Sequence, residues 1–294
     1  MPLDKFFISS LVSSKDRVKD AVLELAGLGF LNIELSGRAV FYEGLEQDLL
    51  GLKEKHKINF LIHGYFPPPR KQFIMNISSR NREERENSFR LVKEAVRLTK
   101  LLGSGLYTIH SGYNGPVCEK GGRFHESTQL KEGWDRRATK KDFYEAVDLL
   151  LKQTADNGIK IGIENLFPLG RAHSFLENGE DIVEFLDRYS NVKNIGLLLD
   201  MGHLNVASNI MGFNKFRVVD KLFAKHSKRI FEIHISENNG ERDYHRISET
   251  RSWQIDVLSR NKRILRDMPM VFEWHDSASK KAYQRFVELK KRLN

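Results

Sequence analysis

The chain has 294 residues, 40% hydrophobic and 30% charged, the balance of an ordinary globular protein with length for one large domain or two small ones. Its single cysteine, Cys118, excludes an internal disulfide framework and fits a reducing cytoplasm, and no apolar run reaches the roughly 18 residues that a membrane span needs. The net charge of +9 admits anionic partners such as sugar phosphates or nucleic acid, but many of the basic residues belong to outer helices such as KKAYQRFVELKKR and form no single arginine–aromatic patch.

The N-terminal MPLDKFFISSLVSS has only a short apolar stretch and reads as no signal peptide. A first strand is expected over Lys5 to Val12, then a helix from Lys15 to Gly27 with Val18, Val22 and Leu25 at helical spacing. LNIELSG is the second strand, with Asn32, Glu34 and Ser36 on one face. A helix over Gly44 to His56 leads to the strand INFLIHGY. A charged helix over Asn81 to Leu102 carries the stripe Phe89, Val92, Val96, Thr99, and GLYTIHSG is the fourth strand. The glycine-bearing stretch from Tyr113 to Arg137 reads as a long polar loop, a lid or equally a disordered excursion, with Cys118 in it lacking an evident histidine partner. After a helix over Thr139 to Asn157 comes KIGIENL, a helix near Glu180 to Tyr189, NIGLLLDMGH, and a helix near Lys215 to Ser227. RIFEIHISENNGERDYH follows as strand and loop, with Phe231, Ile233 and Ile235 expected on one face and Glu232, His234 and Ser236 on the other. A helix over Trp253 to Arg266, the strand PMVFEWHD and a last helix with Ala282, Phe286, Leu289 and Leu293 turned inward complete the chain. Eight strands alternating with eight helices predict an α/β fold, a single (β/α)8 TIM barrel spanning residues 1–294; a doubly wound sheet is disfavoured because no glycine-rich dinucleotide turn follows the first strand.

Such barrels carry their chemistry at the C-terminal ends of the strands. His63 ends the third strand, His110 the fourth, Glu164 the fifth, Asp200 and His203 the sixth, His234 the seventh with Asp243 and His245 on its loop, and Glu273 the eighth. Carboxylates buried on inward faces are costly unless paired or coordinated, so this convergence points to divalent metal: zinc, manganese or iron, one to three ions. Glu164, Asp200, His234 and Glu273 form the set for one ion; His63, His110, His203, Asp243 and His245 add capacity for one or two more.

The motifs IEN, LDMGH, HISENNGERDYH and VFE resemble the xylose-isomerase-like barrel superfamily over nearly the whole chain. The resemblance implies one of two activities. In the sugar isomerase and epimerase branch, the counterparts of Glu164, Asp200, His234 and Glu273 bind one divalent ion. The two glutamates also exchange a proton on a carbon next to a carbonyl, and the counterpart of His203 contacts substrate. In the endonuclease IV branch, the counterparts of all nine residues hold three zinc ions that activate water against a phosphodiester, as in abasic DNA. The loop ISENNGER is shorter than in endonuclease IV, Asn165-Leu166-Phe167-Pro168 replaces a small glycine-rich loop, and Pro67-Pro68-Pro69 stiffens the segment after His63. These features and Glu34 favour the sugar branch. Glu164 and Glu273 are then the expected acid–base pair, and His203, His110, His63 and Glu34 the expected substrate contacts. The expected partner is a sugar or sugar phosphate, ahead of nucleic acid, and a homodimer is common in such barrels. Weaker signals fall on His275, Glu232, Asn76, Arg171 and His173.

Overall fold

The computed structural model describes residues 5–115, 117–120, 123–126, 136–275 and 277–294. Eight strands close into a parallel barrel: β1 (Phe6–Ser9), β2 (Asn32–Leu35), β3 (Asn59–His63), β4 (Leu106–His110), β7 (Lys160–Glu164), β8 (Ile195–Asp200), β9 (Ile230–Ile235) and β10 (Met270–Phe272). The gap in that series is a two-stranded antiparallel hairpin, β5 (Val117–Lys120) and β6 (Arg123–Glu126), inside the stretch read from sequence as a loop. Its register sets Cys118 opposite His125. Residues 116, 121–122 and 127–135 of that stretch lie outside the described residues. Closure is made by β1, which pairs with β10 through Phe6↔Met270 and with β2 through Ile8↔Ile33. The expected TIM barrel is therefore the observed fold.

Five of the barrel strands contribute to two separate apolar environments. Residues such as Ile8, Ile33, Ile62, Ile163, Leu199, Ile233 and Phe272 join the large core between sheet and helices. Phe7, Leu61, Leu106, Phe231 and Val271 form a separate cluster. Their strand neighbours, Glu232 excepted, face the helices, so these five face inward, toward the floor of the barrel. Phe231 corrects the expected alternation. The β8–β9 register shifts between Leu197↔Ile230 and Leu198↔Glu232, so a bulge turns Phe231 inward, away from Ile233 and Ile235. Gly196 makes room for it, because a Cβ there would stand 2.8 Å from the Phe231 ring and 2.3 Å from the Arg229 carbonyl oxygen.

The helices around the barrel are α1 (Val18–Leu28), α2 (Leu45–His56), α3 (Arg82–Leu101), α4 (Arg136–Thr154), α5 (Gly179–Arg188), α6 (Met201–Met211), α7 (Lys215–His226), α8 (Trp253–Arg260) and α9 (Lys280–Leu293). Asparagine side chains start three of them: Asn81, Asn178 and Asn214 each accept two backbone N–H groups of the first turn. Helix α6 was not expected. It begins at the residue after β8, so His203 lies in the first turn of a helix and not at a strand end. Helix α8 stops at Arg260, short of the expected Arg266, and β1 gives way to a 3-10 turn at Ser10–Val12. Among the described residues no helix is long and apolar enough to cross a membrane.

Candidate metal centre at the barrel mouth

His63, His110, Glu164 and Asp200 are the last residues of β3, β4, β7 and β8; Glu273 directly follows β10, and His234 is the penultimate residue of β9. Strand polarity therefore brings all six to one end of the barrel. Glu164 is the hub. Its Oε2 lies 3.4 Å from His63 Nε2 and 3.3 Å from His110 Nε2, and its Oε1 lies 3.1 Å from His203 Nδ1. Asp200 caps α6, its Oδ1 accepting the His203 N–H, while its Oδ2 stands 3.8 Å from both His203 Nδ1 and His234 Nδ1. His234 Nδ1 is 3.2 Å from Glu273 Oε2. The loop after β9 adds Asp243, whose Oδ2 is 3.2 Å from His203 Nε2 and in closer contact with His245 Nε2; His245 Nδ1 faces Glu273 Oε2 at 3.4 Å. All nine residues expected as ligands are thus gathered here.

Glu34 departs from expectation. Its Oε2 is 3.0 Å from His234 Nε2 and its Oε1 accepts from Ser36 Oγ, so it lies against His234 below the mouth, where it also groups with His63 and His234 as a candidate ligand set. Two partners escaped notice in the sequence. Thr108 Oγ1 sits 3.0 Å from His63 Nδ1 and orients that ring. Asn165 donates to the Asp200 carbonyl oxygen and accepts the Asp200 N–H, while its own carbonyl oxygen lies 3.0 Å from His203 Nδ1. The alternation Tyr107-Thr108-Ile109-His110 was the available signal for the first; an amide after a strand-end carboxylate was the only one for the second.

His275 stacks on His245 with ring centroids 4.0 Å apart and planes 11° from parallel. His275 thus buttresses His245, and the two group with Glu273 with ligand atoms within 4.8 Å of one another. Asn76 is buried and ties loops together, donating to the Tyr113 carbonyl oxygen and accepting from the Ser78 N–H and hydroxyl. His173 meets Glu177 through Nδ1 at 2.6 Å, and Arg171 is exposed on the same loop.

The electrostatics follow from packing acids and imidazoles without water. Burial raises the Glu164 carboxyl, but His110, His63 and His203 outweigh it and hold the group at about 2. Glu273 is likewise held well below the ordinary range against burial, chiefly by His245 and His234. Burial lowers His203 and His234, yet Asp200 and Asp243 beside the first and Glu34 and Glu273 beside the second raise both well above the ordinary imidazole value. Burial pushes Asp200 up to about 7, opposed by His203 and reinforced by Glu164 and Glu273. His110 is pushed down to about 4, mainly by burial.

The donor set fits divalent metal. Glu164 Oε2, Asp200 Oδ2 and Asp243 Oδ1 are buried with no hydrogen-bond partner, an arrangement that costs free energy unless a cation sits there. Three groups, His63–His110–Glu164, Glu164–Asp200–His203 and His203–Asp243–His245, each offer ligand atoms within 4.8 Å of one another. Ligand atoms about 2.1 Å from a tetrahedral ion stand about 3.4 Å apart, so shifts of about 1 Å or less per side chain would close each group on an ion.

A model of the xylose isomerase-like TIM barrel family matches residues 22–275. An uncharacterized protein of Methanocaldococcus jannaschii is 25% identical over 271 residues, spanning 88% of this chain and 80% of that protein. A D-tagatose 3-epimerase-like protein superposes with a TM-score of 0.74 at 22% identity, covering 98% of this chain and 97% of the other. The IOLI protein, solved with a bound zinc atom, superposes with a TM-score of 0.64 at 18% identity, covering 98% and 96%. Further solved neighbours are sugar 3-epimerases. The chain belongs to the xylose isomerase-like TIM barrel family.

Proposed function

We propose that the protein is a divalent-metal-dependent isomerase or epimerase of a sugar or sugar phosphate, working in the cytoplasm through proton transfer next to a carbonyl. The observation that carries the reading is the quartet Glu164, Asp200, His234 and Glu273, in which His234 meets Asp200 and Glu273 and Glu164 joins Asp200 through His203, with buried unpartnered oxygens on Glu164 and Asp200. The sugar epimerases among the solved neighbours support the substrate class. When bound, a divalent cation supplies Lewis-acid polarisation of the carbonyl and offsets the negative charge that forms as the proton leaves. Glu164 and Glu273 are the acid–base pair. Both are ionised in the protein alone, which meets the proton-accepting half of the role. His203 and His110 orient substrate oxygens, and His110, kept uncharged by burial, does so as a neutral imidazole.

The test is incubation of the manganese- or zinc-loaded enzyme with candidate ketoses in heavy water. Deuterium entering the carbon beside the carbonyl is the expected result, and Glu164→Gln should abolish it while the ion is retained. Undiminished exchange in that variant would remove the acid–base role.

A second reading rests on the two flanking groups, His63–His110–Glu164 and His203–Asp243–His245, which give room for two more ions. Three ions per chain together with cleavage of an abasic-site oligonucleotide, or of a smaller phosphoester, would replace the epimerase by a multimetal phosphodiesterase. One tightly held ion and intact oligonucleotide favour the epimerase.

A further inference from the structure

Beneath the mouth, two carboxylates grip the back of His234. Its Nε2 lies 2.9 Å from Glu232 Oε1 and 3.0 Å from Glu34 Oε2, which leaves Nδ1 toward Glu273 and Asp200. All three side chains are fully buried. The floor cluster of Phe7, Leu61, Leu106, Phe231 and Val271 occupies the barrel interior on the side away from the mouth, and the β9 bulge is what puts Phe231 in it. Two acids in such a chamber oppose folding: they lie against each other and share one imidazole N–H, with Ser36 Oγ serving Glu34 besides. An apolar side chain of similar length at residue 232 would be cheaper for the fold. What Glu232 provides instead is one directed contact to the nitrogen opposite the metal-facing one. The same imidazole cannot ligate through both nitrogens without losing both protons, so the lower carboxylates take Nε2–H and leave Nδ1 bare for an ion.

We propose that Glu232, with Glu34 beside it, is a positioning residue that fixes the ring and tautomer of His234 and thereby sets the protein's affinity for its divalent ion. The proposal rests on His234 being a ligand, as the reading of the site above has it. A carboxylate on the far nitrogen of a metal-binding histidine raises its basicity as well as aiming it, and loss of such a partner weakens metal binding by about 10–100-fold.

The experiment uses the full-length chain stripped of metal and titrated with zinc or manganese against a chromophoric chelator, with a urea midpoint measured on the same metal-free samples. Glu232→Met is expected to lower affinity about 10–100-fold while the urea midpoint stays level or rises. Glu232→Gln keeps an acceptor for Nε2–H and should recover most of the loss. Unchanged affinity in Glu232→Met would overturn the proposal while leaving the metal-dependent enzyme standing. So would an unfolded Glu232→Met protein or a lowered midpoint, since those mean that the buried acid serves the fold. A wild-type chain that binds neither ion would instead sink the metal-dependent reading itself, and this inference with it.

Discussion

Asn165 ties together the ends of the strands that carry the two central acids, Glu164 and Asp200. Its amide bridges from the end of β7 to both backbone polar groups of Asp200, which are buried and have little prospect of water. Asn165→Ala leaves a buried N–H unpaired and should cost about 1–3 kcal/mol, read as a lower urea midpoint. A midpoint equal to wild type would mean that the strand end closes its own hydrogen bonds. Protons are the second matter at this scale. His203 and His234, raised above their unfolded value by the surrounding carboxylates, keep their protons in the protein alone to higher pH than a free imidazole. The stability they lend the metal-free protein is therefore fully present below the unfolded imidazole value and is lost as pH rises through the folded one. An ion needs the same nitrogens bare, and Asp200, up at about 7, adds a proton that must also leave. Metal affinity should thus climb as pH rises through neutrality, with about one to two protons released per ion. Calorimetric titration in buffers of different ionisation heat counts them. Zero release would show that the pairing of acids and imidazoles is not what the ion displaces.

Among the elements, β8 and α6 carry the clearest lesson in what a sequence displays. Strand ends were legible because an apolar run closed by one polar ligand, as in IGIE or GLLLD, marks both a buried parallel strand and its C-terminal edge. Helix α6 was hidden for two reasons. Asp200 is at once the last residue of the strand and the cap of the helix, so no linker announces the change, and the helix is buried from Met201 to Ser208, so it has no polar stripe there to set its period. The Phe231 bulge is invisible for a related reason: a one-residue insertion changes which face follows without altering the alternation on either side of it. Helix α6 can start where it does only because residue 202 is glycine. A Cβ there would meet Ser236 Oγ at 2.6 Å and both Asn238 Nδ2 and Asp200 Oδ1 at 3.2 Å. Gly202→Ala should push the first turn off the end of β9, cost about 1–3 kcal/mol, and weaken metal binding through Asp200 and His203 together. Full affinity at reduced stability would mean that the turn absorbs the methyl group without moving its acids.

For the molecule as a whole, the centre is the place where the barrel is joined a second time. Hydrogen bonds between neighbouring strands close the cylinder from β1 round to β10, but the ligand-type side chains come from β3, β4, β7, β8 and β9, from the first turn of α6, from the residue after β10 and from the loop after β9. An ion held there ties together elements far apart in the chain, and the unfolded chain offers no such preformed set. Linkage then makes the ion a stabiliser of the whole barrel, and its removal leaves several buried carboxylates to face one another with imidazolium as the only compensation. At an ion concentration about 100 times the dissociation constant the contribution is about 2.7 kcal/mol, which for a chain of this size corresponds to a rise in Tm of roughly 4–5 °C. Scanning the protein with excess zinc or manganese and again with a chelator measures the difference directly. The rise should disappear in Asp200→Asn, which removes one ligand charge and keeps the cap of α6. A Tm indifferent to the chelator would mean that the acids at the mouth are neutralised by their histidines alone, and the metal-dependent chemistry proposed for the site would lose its foundation.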